Sequence, residues 1–196
     1  MAKLNKENLA LKIIAHIHTD FPTKFGIPRQ SGIVDTLKSV IVFEPEFRNI
    51  EALRGLEEFS HIWLIWEFSE TSNNSWSPTV RPPRLGGNKR MGVFATRSPF
   101  RPNAIGLSSV KLDGIELHPD FGFVLYVSGA DLMDNTPIYD IKPYISYTDS
   151  HPEAIGGFSD LVKDYSLKVE FPEHLLYIIP ENKRETLIDV LAQDPR

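Results

Sequence analysis

His61-Ile-Trp-Leu-Ile-Trp-Glu-Phe68 is nearly all apolar and rich in aromatic side chains, which predicts a buried central strand. Upstream, Phe47, Ile50, Leu53 and Leu56 recur at i, i+3 spacing, the pattern of a short amphipathic helix over 47–59. Before that, Ile33–Phe43 reads as a strand, 25–32 as a loop punctuated by glycine and proline, and Leu9–His18 as a strand closed by turn residues. Downstream, a short strand is expected at Met91–Thr96 and others at Ile105–Leu112, Phe121–Ser128 and Ile138–Tyr144. Strands succeed one another with few helices between them. The expected fold is therefore mostly β (α+β): a single antiparallel β-barrel domain with a few short helices, over residues 1–150. No Gly-x-Gly-x-x-Gly follows a strand, which argues against a doubly wound nucleotide fold. Residues 151–196 change character and predict a small C-terminal α/β appendage. It has a strand at Leu167–Phe171 and a helix over Pro180–Gln193, with Glu181 and Glu185 near the helix's positive end.

With 196 residues, 41% of them hydrophobic, the chain can bury a core of its own and suits one domain. No apolar window is long enough for a membrane span, and the N-terminus lacks the apolar run of a signal peptide. The absence of cysteine removes disulfides, thiol nucleophiles and thiolate metal sites together. A cytoplasmic protein is expected. The net charge of −5 conceals a strong asymmetry. Seven of the 21 basic residues (Arg81, Arg84, Lys89, Arg90, Arg97, Arg101 and Lys111) lie between Glu70 and Asp113, and all 26 acidic residues lie outside that interval. A cationic segment in an anionic chain points to an anionic ligand at one place.

Within it, Arg81-Pro-Pro-Arg84 presents two arginines from a backbone stiffened by proline, which lowers the ordering cost of binding a carboxylate or phosphate. Solvated arginines on a Pro-rich loop are the plain alternative. A second cluster, Thr96-Arg-Ser-Pro-Phe-Arg-Pro-Asn103, lies between two predicted strands. Arg97 follows an apolar strand, so it is expected to be part-buried and to need an anionic partner. Asp131-Leu-Met-Asp-Asn-Thr-Pro137 sets two acids three apart in a turn sequence. That loop can hold a ribose, a base edge or a cation, or be an Asx-type turn. His16 and His18 alternate on a strand without a third ligand at suitable spacing, so no metal is expected.

Together these residues resemble the TsaA-like proteins, the TrmO family of tRNA methyltransferases. The resemblance rests on Pro28-Arg-Gln30, Arg54-Gly-Leu-Glu-Glu-Phe-Ser-His-Ile-Trp63, Pro78-Thr-Val-Arg-Pro-Pro-Arg-Leu-Gly-Gly87 and Gly92-Val-Phe-Ala-Thr-Arg-Ser-Pro-Phe-Arg-Pro-Asn103. Asp131-Leu-Met-Asp-Asn-Thr-Pro137 and Asp140-Ile-Lys-Pro-Tyr144 complete it, with a weaker echo in Val190-Leu-Ala-Gln-Asp-Pro-Arg196.

The resemblance implies a homodimeric β-barrel enzyme that uses S-adenosylmethionine to methylate N6 of threonylcarbamoyl-adenosine beside the tRNA anticodon. It places cofactor contacts at Pro28, Arg29, Gln30, Ser69, Glu70, Arg97, Leu107, Asp131, Leu132, Met133 and Asp134. Arg97, Asp131 and Asp134 are expected to be the catalytic residues, and Arg81, Arg84, Lys89, Arg90 and Arg101 to contact the tRNA; which arginine meets which anion stays open. N6 of such a base is a poor nucleophile until its proton leaves, so a general base is needed; Glu70, Asp131 and Asp134 are the candidates. Two positions depart from the family pattern: Asn135 stands where glycine is usual, and Ala104 where proline is usual. The chain also stops at the Leu-Ala-Gln-Asp-Pro-Arg run that relatives continue beyond, so a shortened appendage is expected to weaken tRNA docking and leave the cofactor pocket intact. The competing readings are a non-catalytic RNA-binding barrel and an enzyme acting on a small anionic metabolite.

Overall fold

A computed structural model describes residues 10–71 and 76–194 of the chain. Among these residues the strands are β1 (Ala15–His18), β2 (Lys38–Phe43), β3 (His61–Glu67), β4 (Thr79–Val80), β5 (Met91–Gly92), β6 (Ile105–His118), β7 (Gly122–Ser128) and β8 (Thr136–Pro143). Six of them pair antiparallel in the order β1-β2-β7-β6-β3-β8. β8 returns to β1 through Ala15↔Ile138, His16↔Pro137 and Ile17↔Thr136, so the sheet forms a closed barrel. Closure leaves no unpaired edge within that circuit. The short strands β4 and β5 make a separate hairpin.

The core is the barrel's interior. Ile17, Ile41, Ile62, Leu64, Leu125, Val127 and Ile138 are each fully buried there. The central strand β3 is present between β6 and β8, but it is buried on one face only. Ile62, Leu64 and Trp66 point inward, whereas Trp63, Ile65 and Glu67 are half-buried on the outside. A closed sheet has one inner face, so an apolar outer face needs its own cover. Trp63 finds one locally: its Nε1 donates to Asp149 Oδ2 at 2.8 Å, and its ring lies 5.5 Å from that of Tyr144.

Several elements differ from expectation. The helix expected over 47–59 is three 3-10 turns, Pro45–Phe47, Ile50–Leu53 and Leu56–Glu58. Gly55, at φ 84°, sits in the left-handed region between the last two and ends any continuous helix. The apolar spacing still reports burial, for Leu53 joins the core and Phe47 and Leu56 pack against it. β1 begins later than predicted, Leu9 lying outside the described residues, and β2 is shorter because Val34 and Leu37 are buried in the loop before it instead. Only Met91 and Gly92 of the predicted strand 91–96 pair; Val93–Ala95 coils into a 3-10 turn. β6 runs six residues further than expected, past a bulge between Leu112 and Gly114.

No strand forms at Leu167–Phe171, so the described part of the C-terminal segment is helical and irregular rather than α/β. α1 (Ser146–Asp149) precedes it, and it carries α2 (Glu173–Leu176) and α3 (Glu181–Ala192). α3 matches the predicted helix, and its Val190 buries against Val34 and Leu37, with Phe21 packed alongside. Among the described residues no helix is long and apolar enough to cross a membrane.

Candidate active site

The alternation of β6 determines what faces the interior at this end of the barrel. Gly106, Ser108 and Val110 point in; Ile105 and Leu107 point out. Ser108 is a polar residue at an inward position, only 1% exposed, so both its lone pairs and its proton need partners. Its Oγ accepts from Trp66 Nε1 at 3.0 Å and donates to Asp131 Oδ1 at 2.6 Å. Asp131 follows β7 and is held off water by the link to β8. Burial pushes its carboxyl above the ordinary carboxylate range, against the opposing pull of the Ser108 hydroxyl, its own amide, the charge of Arg97 and the Ser31 amide. Desolvation is the largest of these effects.

The rest of the Asp131 loop is tied to the end of β1. Asp134 donates its amide to Phe21 O at 2.8 Å, while its Oδ1 accepts from Thr19 N at 3.0 Å and lies 3.2 Å from His18 Nδ1. Leu132 is 1% exposed with its side chain in the core, and its carbonyl accepts from Thr19 Oγ1. Asn135 adopts φ 62°, a left-handed conformation that asparagine tolerates better than most residues. The turn thus survives without glycine.

A second wall is the loop between β1 and β2. Gly32 N donates to Gly129 O, and Gly129 N to Leu37 O, each at 2.9 Å, so this loop runs beside the Asp131 link. Pro28 is buried, and Gln30 Nε2 donates to Arg29 O at 2.5 Å. Gln30 Oε1 accepts from Arg97 Nη1 at 2.5 Å. Arg97 is exposed rather than part-buried, because the turn Val93–Ala95 lifts it off the sheet, and its hydrogen-bond partner is an amide oxygen instead of an acid. Arg101 is used structurally: its Nη1 donates to Thr96 O at 2.7 Å and its guanidinium lies over Phe94, pinning the turn that presents Arg97.

Pro28, Arg29, Gln30, Arg97 and Asp131 are therefore brought together. Other predicted residues are not. Ser69 and Glu70 lie in the turn after β3, where Phe68 N bonds Ala104 O at 2.9 Å. Leu107 is 52% exposed on the opposite face of β6 from Ser108, so it cannot reach the Asp131 of its own chain. Met133 contributes its carbonyl to Thr136 Oγ1 at 2.7 Å. Arg81, Lys89 and Arg90 are exposed on the excursion between β4 and β5, and Arg84 falls on its turn Pro83–Leu85. Consecutive left-handed glycines, Gly86 (φ 74°) and Gly87 (φ 69°), turn that excursion back.

Sequence reasoning missed Ser108, Trp66 and the Ser31 amide, all of which touch Asp131 directly or at one remove. The strict alternation of β6 is the signal that marks Ser108 as inward. His16 and His18 each meet one carboxylate, Glu44 at 2.9 Å and Asp134 at 3.2 Å, and no three-residue metal-binding group occurs among the described residues.

Comparisons with known proteins agree on one family. The model of the tRNA-methyltransferase O N-terminal domain matches residues 16–150. The chain is 42% identical over 189 residues to the tRNA (adenine(37)-N6)-methyltransferase of Escherichia coli K12, covering 93% of this chain and 80% of that protein. It is 47% identical over 139 residues to the enzyme of the same description from Eikenella corrodens, covering 70% and 77% respectively. The crystal structure of TrmO from Pseudomonas aeruginosa superposes with a TM-score of 0.75 at 34% identity, over 96% of this chain and 83% of that one.

Proposed function

This chain belongs to the tRNA-methyltransferase O family, and on that premise we propose that the cluster around Asp131 is its methyl-transfer centre. The protein is an S-adenosylmethionine-dependent methyltransferase that acts on N6 of adenosine 37 in tRNA. The observation that carries the site assignment is the buried carboxylate of Asp131 facing the Gln30–Arg97 pair. Threonylcarbamoyl-adenosine is the form of that nucleoside the site suits, because Arg97 offers an exposed cation to a threonyl carboxylate beside a desolvated base.

The residues present fit the cofactor. Arg29 Nε is buried without a hydrogen-bond partner among the described residues, so its guanidinium retains capacity for a carboxylate such as the cofactor's amino-acid end. When bound, S-adenosylmethionine supplies a methyl group on a positively charged sulfur. Pro28 and Gln30 would shape the pocket beside Arg29. Asp131 would take the N6 proton as the nitrogen gains the methyl carbon, while the carbon–sulfur bond breaks and leaves its electron pair on the sulfur. Its desolvation raises its basicity for that step. Asp134 is less suited, since its Oδ1 is committed to Thr19 and His18; Glu70 is exposed and free of any such environment. Residues 1–150 form the catalytic unit on this reading, and Arg81, Arg84, Lys89 and Arg90 gather the tRNA phosphates.

Arg97→Ala is expected to lower methyl transfer by about 10²-fold with a melting temperature near that of the parent, because the side chain is exposed. Near-normal turnover in that variant rules the assignment out. The whole reading is tested by mass spectrometry of tRNA nucleosides from cells lacking the protein: the N6-methylated nucleoside should vanish and return with the wild-type gene. Its persistence would favour a non-catalytic role.

The outer face of β6 supports a homodimer. Ile105 (38% exposed) and Leu107 lie beside Ile65 of β3 through the pair Ile65↔Leu107, an apolar strip on the outside of the barrel. Such strips mark association surfaces, and Leu107 would then meet the cofactor in the partner's pocket. Light scattering should return twice the 22.3 kDa chain mass, and Leu107→Lys should reduce it to one chain. A monomeric wild type excludes this arrangement.

A further inference from the structure

α3 is held against the loop between β1 and β2 at three points. Val190 buries on Val34 and Leu37, Lys183 Nζ pairs with Asp20 Oδ1 at 2.6 Å, and the carbonyl of Asp194 accepts from Arg29 Nη2 at 3.1 Å. A helix of this length is marginal alone, and the exposed Lys183–Asp20 pair adds little. Burial of Val190 therefore anchors the helix, and the Asp194 carbonyl is the contact that reaches the site.

Three features make that contact more than packing. Asp194 adopts φ 52°, a conformation few side chains accept, and that turn is what points its carbonyl at Arg29. Arg29 has a buried, unpartnered Nε, and among the described residues its guanidinium donates to the Asp194 carbonyl. Finally, Arg29 is continuous with the groups that face the catalytic carboxylate. Its carbonyl accepts from Gln30 Nε2, Gln30 Oε1 accepts from Arg97, and the Arg97 charge and the Ser31 amide both pull the Asp131 carboxyl downward against burial.

We propose that the turn at Asp194 is a positioning element of the methyl-transfer centre: by holding Arg29 it sets Gln30 under Arg97. The C-terminal segment then serves the cofactor pocket, contrary to the expectation that it serves tRNA docking alone. This inference rests on the assignment of the 28–30 loop to cofactor binding. Misplacement of such a loop by even 1 Å is enough to cost about 10²-fold in rate.

The test uses the full chain and substitutes the backbone-determining residue. Asp194→Gly keeps the left-handed turn and its carbonyl; Asp194→Val forbids it. S-adenosylmethionine affinity by calorimetry and tRNA affinity by filter binding are measured for both, with Gln30→Ala as reference and a melting curve for each. Asp194→Gly is expected to match wild type, and Asp194→Val to bind the cofactor about tenfold or more weakly with unchanged tRNA affinity. Wild-type cofactor affinity in Asp194→Val beside a weakened Gln30→Ala overturns the positioning role alone, as does a loss confined to tRNA. Unchanged cofactor affinity in Gln30→Ala overturns the cofactor reading of the loop itself. Should Asp194→Val not fold, Asp194→Ala replaces it under the same criteria.

Discussion

Asp131→Asn is expected to cut methyl transfer by about 10²–10⁴-fold, the usual contribution of a positioned general base, without destabilising the protein at neutral pH. The two halves of this expectation share one cause. Burial raises the Asp131 carboxyl above its unfolded value, so the folded state binds a proton more tightly than the unfolded state does. Stability is then highest below the unfolded value and falls as pH rises from there through the folded value. The ionised carboxylate is the form that bears the desolvation penalty. Asparagine removes the charge while its Oδ1 can still accept from Ser108 Oγ. The melting temperature of the variant should therefore equal or exceed that of wild type at pH 7, and its stability should decline less between acidic and neutral pH. An inactive variant that melts well below wild type points to a structural role, and an active one removes Asp131 from the chemistry. Neither outcome is compatible with the proposed base.

Gly106→Ala is expected to be the most damaging single-methyl change in the barrel. Gly106 pairs with Trp66 across β3 and β6, and a Cβ there would overlap the Trp66 indole. The ring cannot swing aside cheaply: its Nε1 is bonded to Ser108, and it packs on Phe68 with centroids 4.3 Å apart. Overpacking of this kind costs about 1–3 kcal/mol, which lowers the melting temperature of a chain this size by roughly 2–12 °C. Because Ser108 also bonds Asp131, turnover should fall in the same variant. Gly92→Ala is the matched control: nothing lies within 4 Å of its Cβ position, and surface changes of that kind stay within about 0.5 kcal/mol. Equal melting of the two variants would show that Trp66 is free to move.

The strands of this fold were legible where one side of each is apolar, as at Ile62, Leu64 and Trp66. It was least legible where a single backbone angle decides the outcome. The spacing of Phe47, Ile50, Leu53 and Leu56 identifies an inward face correctly, but Gly55 divides it into turns. Arg97 looks buried if residues 91–96 are a strand and exposed once 93–95 coil. In the site, residue types in Pro28-Arg-Gln30 and Asp131–Asp134 carry chemical meaning on their own. Ser108 does not: its role depends on register with β3 and on a link that begins after β7. The Arg29–Asp194 bond joins residues 165 positions apart, with no local pattern to announce it.

The basic excursion between β4 and β5 hangs outside the closed sheet, with Arg81, Lys89 and Arg90 in solvent. Folding places almost no demand on those side chains, since they fill no part of the core. Mutations there escape the stability threshold that disciplines the barrel. On the proposed assignment of these residues to tRNA, choice of RNA can thus drift, broaden or sharpen over evolutionary time while the chemical centre stays as it is.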